Sequence, residues 1–131
     1  MDDIQSQFVE KILAGTQNQL KEQGSAFAPS NIALCKYWGK RDAKLNLPVN
    51  SSLSVSLGRL GTQTEIRECK DADRVYLNDE LQAADTGFAK RVSAFLDLFR
   101  SRVGKVCFEV RTDNNIPTAA GLASSASGFA A

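Results

Sequence analysis

Apolar side chains recur along this sequence at two spacings, and the change from one to the other divides the chain into elements. Ile4, Phe8, Val9, Ile12, Leu13 and Leu20 fall mostly at helical steps, with Gln, Lys and Glu between them. This predicts a helix over residues 4–23, ended by Gly24. Residues 25–36 are apolar and irregular and suit one strand, or two short strands broken at Pro29. Residues 37–50 are polar, hold Gly39 and Pro48, and predict a long loop, a feature that is more often functional than not in a compact domain. Leu53, Val55 and Leu57 alternate with serines, which predicts a half-buried strand over 52–58. A weaker strand follows over 62–68. Residues 74–77 and 81–83 then read as a hairpin that turns at Asn78-Asp79.

The clearest helix comes next. Phe88, Val92, Phe95, Leu96, Phe99 and Val103 recur every three or four residues, and this stripe is expected to be core. Asp85 is the expected N-cap, Arg100 and Arg102 suit the negative C-terminal end, and Gly104 stops the helix. Val106, Phe108 and Val110 mark a strand over 105–113, and Phe129-Ala130-Ala131 reads as the opening of another helix. Strands in succession, then helix, strand and helix, predict an α+β fold with an antiparallel or mixed sheet packed by helices. Residues 1–24 are expected to form a helical extension and residues 25–131 one domain. A helix opening so close to Ala131 would be short and marginal, so the sequence is expected to be the front part of something longer, incomplete at its C-terminus.

A length of 131 residues fits one domain with a real core, and 24% charged residues among 43% hydrophobic ones exclude a disordered chain. The net charge of +1 gives no general pull toward nucleic acid or a membrane. Locally, Lys36, Lys40, Arg41 and Lys44 cluster; they either meet an anion or form a solvated loop. The absence of His removes a Ser-His-Asp triad and an imidazole metal site. Cys35, Cys69 and Cys107 are odd in number and lack a C-x-x-C pair, and they read as reduced thiols. There is no cationic-then-apolar start and no apolar run near the ~18 residues that would span a bilayer. A cytoplasmic location follows as the expectation.

Between the last strand and the last helix lies Asn114-Asn115-Ile116-Pro117-Thr118-Ala119-Ala120-Gly121-Leu122-Ala123-Ser124-Ser125-Ala126-Ser127-Gly128. Small residues there let backbone N–H groups approach a phosphate, and the first turn of a helix has N–H groups to spare. Pro117 holds Ile116 extended. Ser124, Ser125 and Ser127 add hydroxyls. The alternative is an ordinary small-residue loop with a serine N-cap. No Gly-Lys-Ser/Thr closes the loop, which disfavours a Walker A site.

Two stretches together resemble one family. Residues 28–41, Ala-Pro-Ser-Asn-Ile-Ala-Leu-Cys-Lys-Tyr-Trp-Gly-Lys-Arg, closely resemble the N-terminal signature of diphosphomevalonate decarboxylases. Residues 115–127 resemble their nucleotide loop, which the wider GHMP kinase superfamily shares. Residues 50–55 and 73–78 also look like the family, and the resemblance runs from about Ser25 to Ala131. It implies a GHMP-kinase-type N-terminal domain. It also implies an enzyme that uses ATP and Mg2+ to convert 5-diphosphomevalonate to isopentenyl diphosphate, CO2, ADP and phosphate, by phosphorylating the tertiary 3-hydroxyl so that it can leave.

By motif position, the resemblance assigns Asn31, Lys36, Tyr37, Trp38, Gly39, Lys40 and Arg74 to the substrate. Lys40 is the partner of the diphosphate, and Trp38 is pocket wall, core, or both. Gly121, Leu122, Ala123, Ser124 and Ser125 are assigned to ATP, with Mg2+ carried by ATP and Ser125 near its shell. The turn after Arg74 reads Leu-Asn-Asp where relatives often have Leu-Asn-Gly. The catalytic aspartate is expected beyond Ala131, so the isolated chain is expected to be inactive. Relatives are commonly homodimers, and a homodimer follows only by analogy. A kinase that phosphorylates mevalonate or a phosphomevalonate without decarboxylation, and a non-catalytic binding module, are the competing readings.

Overall fold

The structure, a computed structural model, describes residues 3–15, 20–36, 38–42, 47–116 and 124–131; for residues 3–6, 101–102 and 124–126 it describes the backbone alone. The elements are α1 (Asp3–Leu13), β1 (Gln23–Cys35), β2 (Lys40–Asp42), β3 (Leu47–Pro48), β4 (Leu53–Cys69), β5 (Arg74–Leu77), β6 (Glu80–Gln82), α2 (Gly87–Val103), β7 (Cys107–Asn114) and α3 (Ser124–Ala130). Strands hydrogen-bond in the order β1-β4-β7-β5-β6, and β2 pairs separately with β3. β5 runs parallel to β7 and antiparallel to β6, so the sheet is mixed and the α+β expectation holds. The chain divides into two compact units, residues 1–25 with 64–113, and residues 26–63 with 114–131.

In the first unit, Asn78 and Asp79 adopt φ of 50° and 65°, the left-handed pair that a two-residue hairpin turn needs. The register Tyr76↔Leu81 and Leu77↔Glu80 follows from that turn. Thr86 caps α2 by accepting a hydrogen bond from the Ala89 N–H at 3.2 Å. Gly104 ends the helix with φ 87°, and its N–H donates to the Arg100 carbonyl. Leu96 of α2 packs with Phe108 and Val110 of β7 in a buried cluster flanked by Ile66, Val92 and Val106.

Asp73 ties this helix to the sheet. Its carboxylate accepts from Arg100 Nη2 at 2.6 and 2.7 Å, from Ser93 Oγ at 2.7 Å and from the Phe108 N–H at 3.0 Å. Arg100 also donates to the Val106 carbonyl at 2.9 Å, bonds Asp97, and lies over the Phe108 ring. Burial pushes the Asp73 carboxyl up. The hydrogen bonds from Ser93, Phe108 and Arg100, with the Arg100 charge, outweigh burial and hold it below its ordinary value of 3.8.

Several expectations are corrected. α1 ends at Leu13, because Gly15 takes φ 92°, and Gly24 lies inside β1. Of the two readings of residues 25–36, the single strand holds: β1 runs unbroken through Pro29. It is an edge strand, where a missing N–H is tolerated. The two strands expected over 52–68 are one, β4, with Gly58 at φ 62° inside it. Leu53 and Val55 are 61% and 49% exposed, so their alternation marks a strand but not a half-buried one. The long loop over 37–50 contains the β2–β3 pair. Thr86, not Asp85, is the N-cap, since its oxygen is the one that reaches Ala89. Only part of the aromatic stripe is core: Phe95 is 41% exposed and packs edge-on against Phe99. α3 opens at Ser124 rather than Phe129, which lies at its far end. Arg102 at the end of α2 lies outside the described side chains.

Two substitutions check this account. The depressed Asp73 carboxyl contributes stability that is present above its unfolded pKa and lost as pH falls through the lower folded one. Asp73→Asn is therefore expected to cost about 2–3 kcal/mol at neutral pH. The gap from the parent should shrink in acid below about pH 4, read from urea melts at both pH values. Asp79→Gly is expected to stabilise the chain by about 0.5–1 kcal/mol, because glycine takes a left-handed φ without steric cost; thermal melts measure it.

Candidate functional site

The second unit holds most of the residues that the sequence singled out. Asn31 lies on β1 and is exposed, as is Lys36 just after the strand. Trp38 is 86% exposed, which removes its reading as a core aromatic. Gly39 turns the chain with φ 95°, a conformation that side chains rarely adopt, and its carbonyl accepts from the Val49 N–H at 3.4 Å. Lys40 then opens β2, exposed and opposite Pro48 of β3, with Arg41 exposed beside it. The unit thus presents an indole and several cationic heads to solvent within one short stretch. Such groups suit an anion that carries an apolar body.

The serine-rich segment is anchored from below. Hydroxyls of Ser30, Ser127 and Thr62, all nearly fully buried, form a chain that ends on Asn114. Thr62 Oγ1 donates to Asn114 Oδ1 at 2.6 Å, which uses its only hydrogen. It must therefore accept from Ser127 Oγ at 2.8 Å, and Ser127 in turn accepts from Ser30 Oγ at 3.0 Å. Beside this chain the Asn115 side chain accepts from the Gly61 N–H at 2.7 Å and donates to the Arg59 carbonyl at 2.7 Å. Asn115 N–H donates to the Gly61 carbonyl at 3.1 Å. Gly61 is held this tightly because β1 passes close by: a Cβ there would lie 2.2 Å from the Ala28 carbonyl oxygen and 2.7 Å from Pro29 Cα.

Ser127 is thus committed to the interior, as a helix-face serine. The inward network of Ser30, Thr62, Asn114 and Ser127 escaped sequence reasoning. Its signal was a small-residue position on each of several elements, and nothing in one sequence says that they converge. Ser124 and Ser125 are the first residues of α3. Their side chains, together with Tyr37, Lys44, Gly121, Leu122 and Ala123, lie outside the described residues. Arg74 belongs to the first unit, exposed at the start of β5 and 3.7 Å from Asp71. Among the described residues no group of three or more His, Cys, Asp or Glu could hold a metal ion. Nor is any helix among them long and apolar enough to cross a membrane.

The family model described as the diphosphomevalonate decarboxylase-like N-terminal domain matches residues 28–131. The chain belongs to this family. Among curated relatives of this decarboxylase-like chain, the diphosphomevalonate decarboxylase of Candida albicans is 42% identical over 120 residues, which cover 82% of the chain and 33% of the relative. The mevalonate diphosphate decarboxylase of Staphylococcus aureus superposes with a TM-score of 0.74 at 42% identity, over 84% of this chain and 34% of that one. A protein designated MDDEF, solved in complex with MVAPP, AMPPCP and magnesium, gives 0.69 at 43% identity, over 83% and 34%. The decarboxylase-like chain thus spans about a third of the length of the relatives it matches. The solved neighbours bear out the expected fold.

The close pass of β1 at Gly61 is directly testable. Gly61→Ala sets a methyl group against backbone, which cannot swing aside, and is expected to cost about 3 kcal/mol or more, measured by urea unfolding at neutral pH.

Proposed function

We propose that this chain carries substrate- and nucleotide-contacting segments of a diphosphomevalonate decarboxylase. The reaction is the ATP-dependent conversion of 5-diphosphomevalonate to isopentenyl diphosphate, with release of CO2, ADP and phosphate. Membership of the family over residues 28–131 is the observation that carries this reading. The magnesium complex of a solved neighbour with MVAPP and AMPPCP supports ATP and Mg2+ as its cofactors.

Within the second unit, Asn31, Lys36, Tyr37, Trp38, Gly39 and Lys40 are assigned to the substrate. The exposure of Trp38 and the positive φ of Gly39 support this, since both give the segment a shape that serves no core. Lys40 is assigned to the diphosphate as a charge-assisted donor. Gly121, Leu122, Ala123, Ser124 and Ser125 are assigned to the ATP phosphates. The donors of that segment are hydroxyls and backbone N–H groups, which suit phosphate oxygens. Mg2+ would come with the nucleotide, keeping mostly phosphate and water ligands. Residues 25–131 are assigned to the ATP- and substrate-binding domain, with residues 1–24 as an extension. A homodimer in the cytoplasm completes the proposal.

The test is a chimera in which residues 28–131 replace the matching segment of the Candida albicans enzyme. It is expected to release CO2 and ADP in equal amounts from carboxyl-labelled 5-diphosphomevalonate. ADP without CO2 would instead identify a kinase, and neither product would remove the catalytic reading. In an active chimera, Lys40→Ala is expected to raise KM for 5-diphosphomevalonate about 10–100-fold, with KM for ATP changed far less. Equal losses for both ligands would remove Lys40 from the diphosphate.

A further inference from the structure

Two of the three cysteines meet in the first unit. Thr62 bonds Asn114 and Thr64 bonds Thr112 through their side chains, so two residues forward on β4 match two residues back on β7. The strands are neighbours in the sheet, and this stepping makes them antiparallel. Continued by five residues, the same register sets Cys69, the last residue of β4, opposite Cys107, the first of β7. The bond from the Asn115 N–H to the Gly61 carbonyl marks that pair as hydrogen-bonded, and the Cys69–Cys107 pair has the same parity. Cα atoms in such a pair lie about 5.5 Å apart, inside the range that a disulfide spans. Their Cβ atoms are about 1 Å too far apart for an unstrained bond, so the strand ends must draw together slightly.

The thiols themselves converge. Cys69 Sγ donates to the Ala72 carbonyl at 3.2 Å and Cys107 Sγ to the Asp71 carbonyl at 3.6 Å, successive carbonyls of one turn. Both cysteines line one open cleft of about 470 Å3, together with Glu22, Lys70 and Lys105. Burial, and then the charge of Cys107, push the Cys69 thiol up, as expected for two sulfurs within electrostatic reach of each other.

We propose that Cys69 and Cys107 form a cross-strand dithiol site that a hydroperoxide oxidises to a reversible disulfide joining β4 to β7. Cys107, whose contact with a carbonyl is the longer, attacks first as the thiolate. Its sulfur bonds one peroxide oxygen, the O–O bond breaks, and the other oxygen leaves as hydroxide, which takes up a proton to become water. Cys69 then attacks the resulting sulfenic sulfur. The S–S bond forms, the S–O bond breaks, and the departing hydroxide leaves as water with the proton of the Cys69 thiol. Two thiols lose two electrons, and one hydrogen peroxide becomes two waters. Strain in the closed bond makes it easily reduced by a small thiol. Exposed Cys35 lies in the second unit and takes no part.

The test uses the full chain carrying Cys35→Ser, treated with hydrogen peroxide. The expected result is loss of both alkylatable thiols, a mass lower by two hydrogens, a peptide linking Cys69 to Cys107, and recovery of both thiols with dithiothreitol. The link should form at least about 5-fold more slowly in concentrated urea, where proximity is lost. Adding Cys69→Ser should stop the reaction at a Cys107 sulfenic acid that dimedone traps. Two thiols that remain alkylatable, or a link that forms as fast in urea as in buffer, would overturn the proposal.

Discussion

One carboxylate joins α2 of the first unit to its sheet. Asp73 stands just before β5, yet its partners come from α2 and from the start of β7. Its charge is nearly cancelled by Arg100, and its remaining acceptor sites are filled by a hydroxyl and a backbone N–H. That full satisfaction is what lets a charged pair with about 18–19% side-chain exposure be an asset: an ion pair stripped of water repays its desolvation only when the other lone pairs are also met. The guanidinium of Arg100 then lies over the Phe108 ring, so the polar hub rests on the apolar cluster of Leu96, Phe108 and Val110. Register, helix placement and core in this unit depend on one another through Asp73.

The second unit solves a different problem with different chemistry. Its strands approach so closely at Gly61 that no side chain fits, and the neighbouring positions are Ala28, Ser30 and Ser127, all small and buried. Close approach would strand hydroxyls away from water. The directed chain from Ser30 through Ser127 and Thr62 to Asn114 satisfies them in sequence, each donor meeting one acceptor. Because each hydroxyl has a single hydrogen, the direction is fixed by the acceptor at its end. This chain holds the base of α3 in place.

Much of this architecture was legible from residue spacing, and the failures share a cause. Local signals succeeded: Asn78-Asp79 made the hairpin turn, Gly104 stopped α2, and Val106, Phe108 and Val110 marked β7. Expectations that depended on what packs where did worse. The clean alternation of Leu53, Val55 and Leu57 predicted a covered face, but a strand pattern reports only which side chains share a face, not whether anything lies on it. Gly24 was the expected end of the first helix, but it is Gly15 that takes the left-handed conformation just after Leu13, while Gly24 lies in a strand. The motif residues around Lys40 were legible because they are contiguous. The network beneath α3 was not, because its members lie on separate elements and carry no charge or periodicity.

Trp38 shows how these threads meet. Burying an indole stabilises a chain by roughly 25 cal/mol per Å2 of apolar surface, so leaving one 86% exposed forgoes on the order of several kcal/mol. Gly39 immediately after it commits the backbone to a left-handed turn, and Lys40 follows as the first residue of a short strand pair. A chain seeking only stability would place the ring inside and relax the turn. Here Trp38 and Lys40 are instead both exposed, on either side of the Gly39 turn. That exposure gains nothing for the fold of this unit, and it is the feature on which the proposed substrate role of this segment rests.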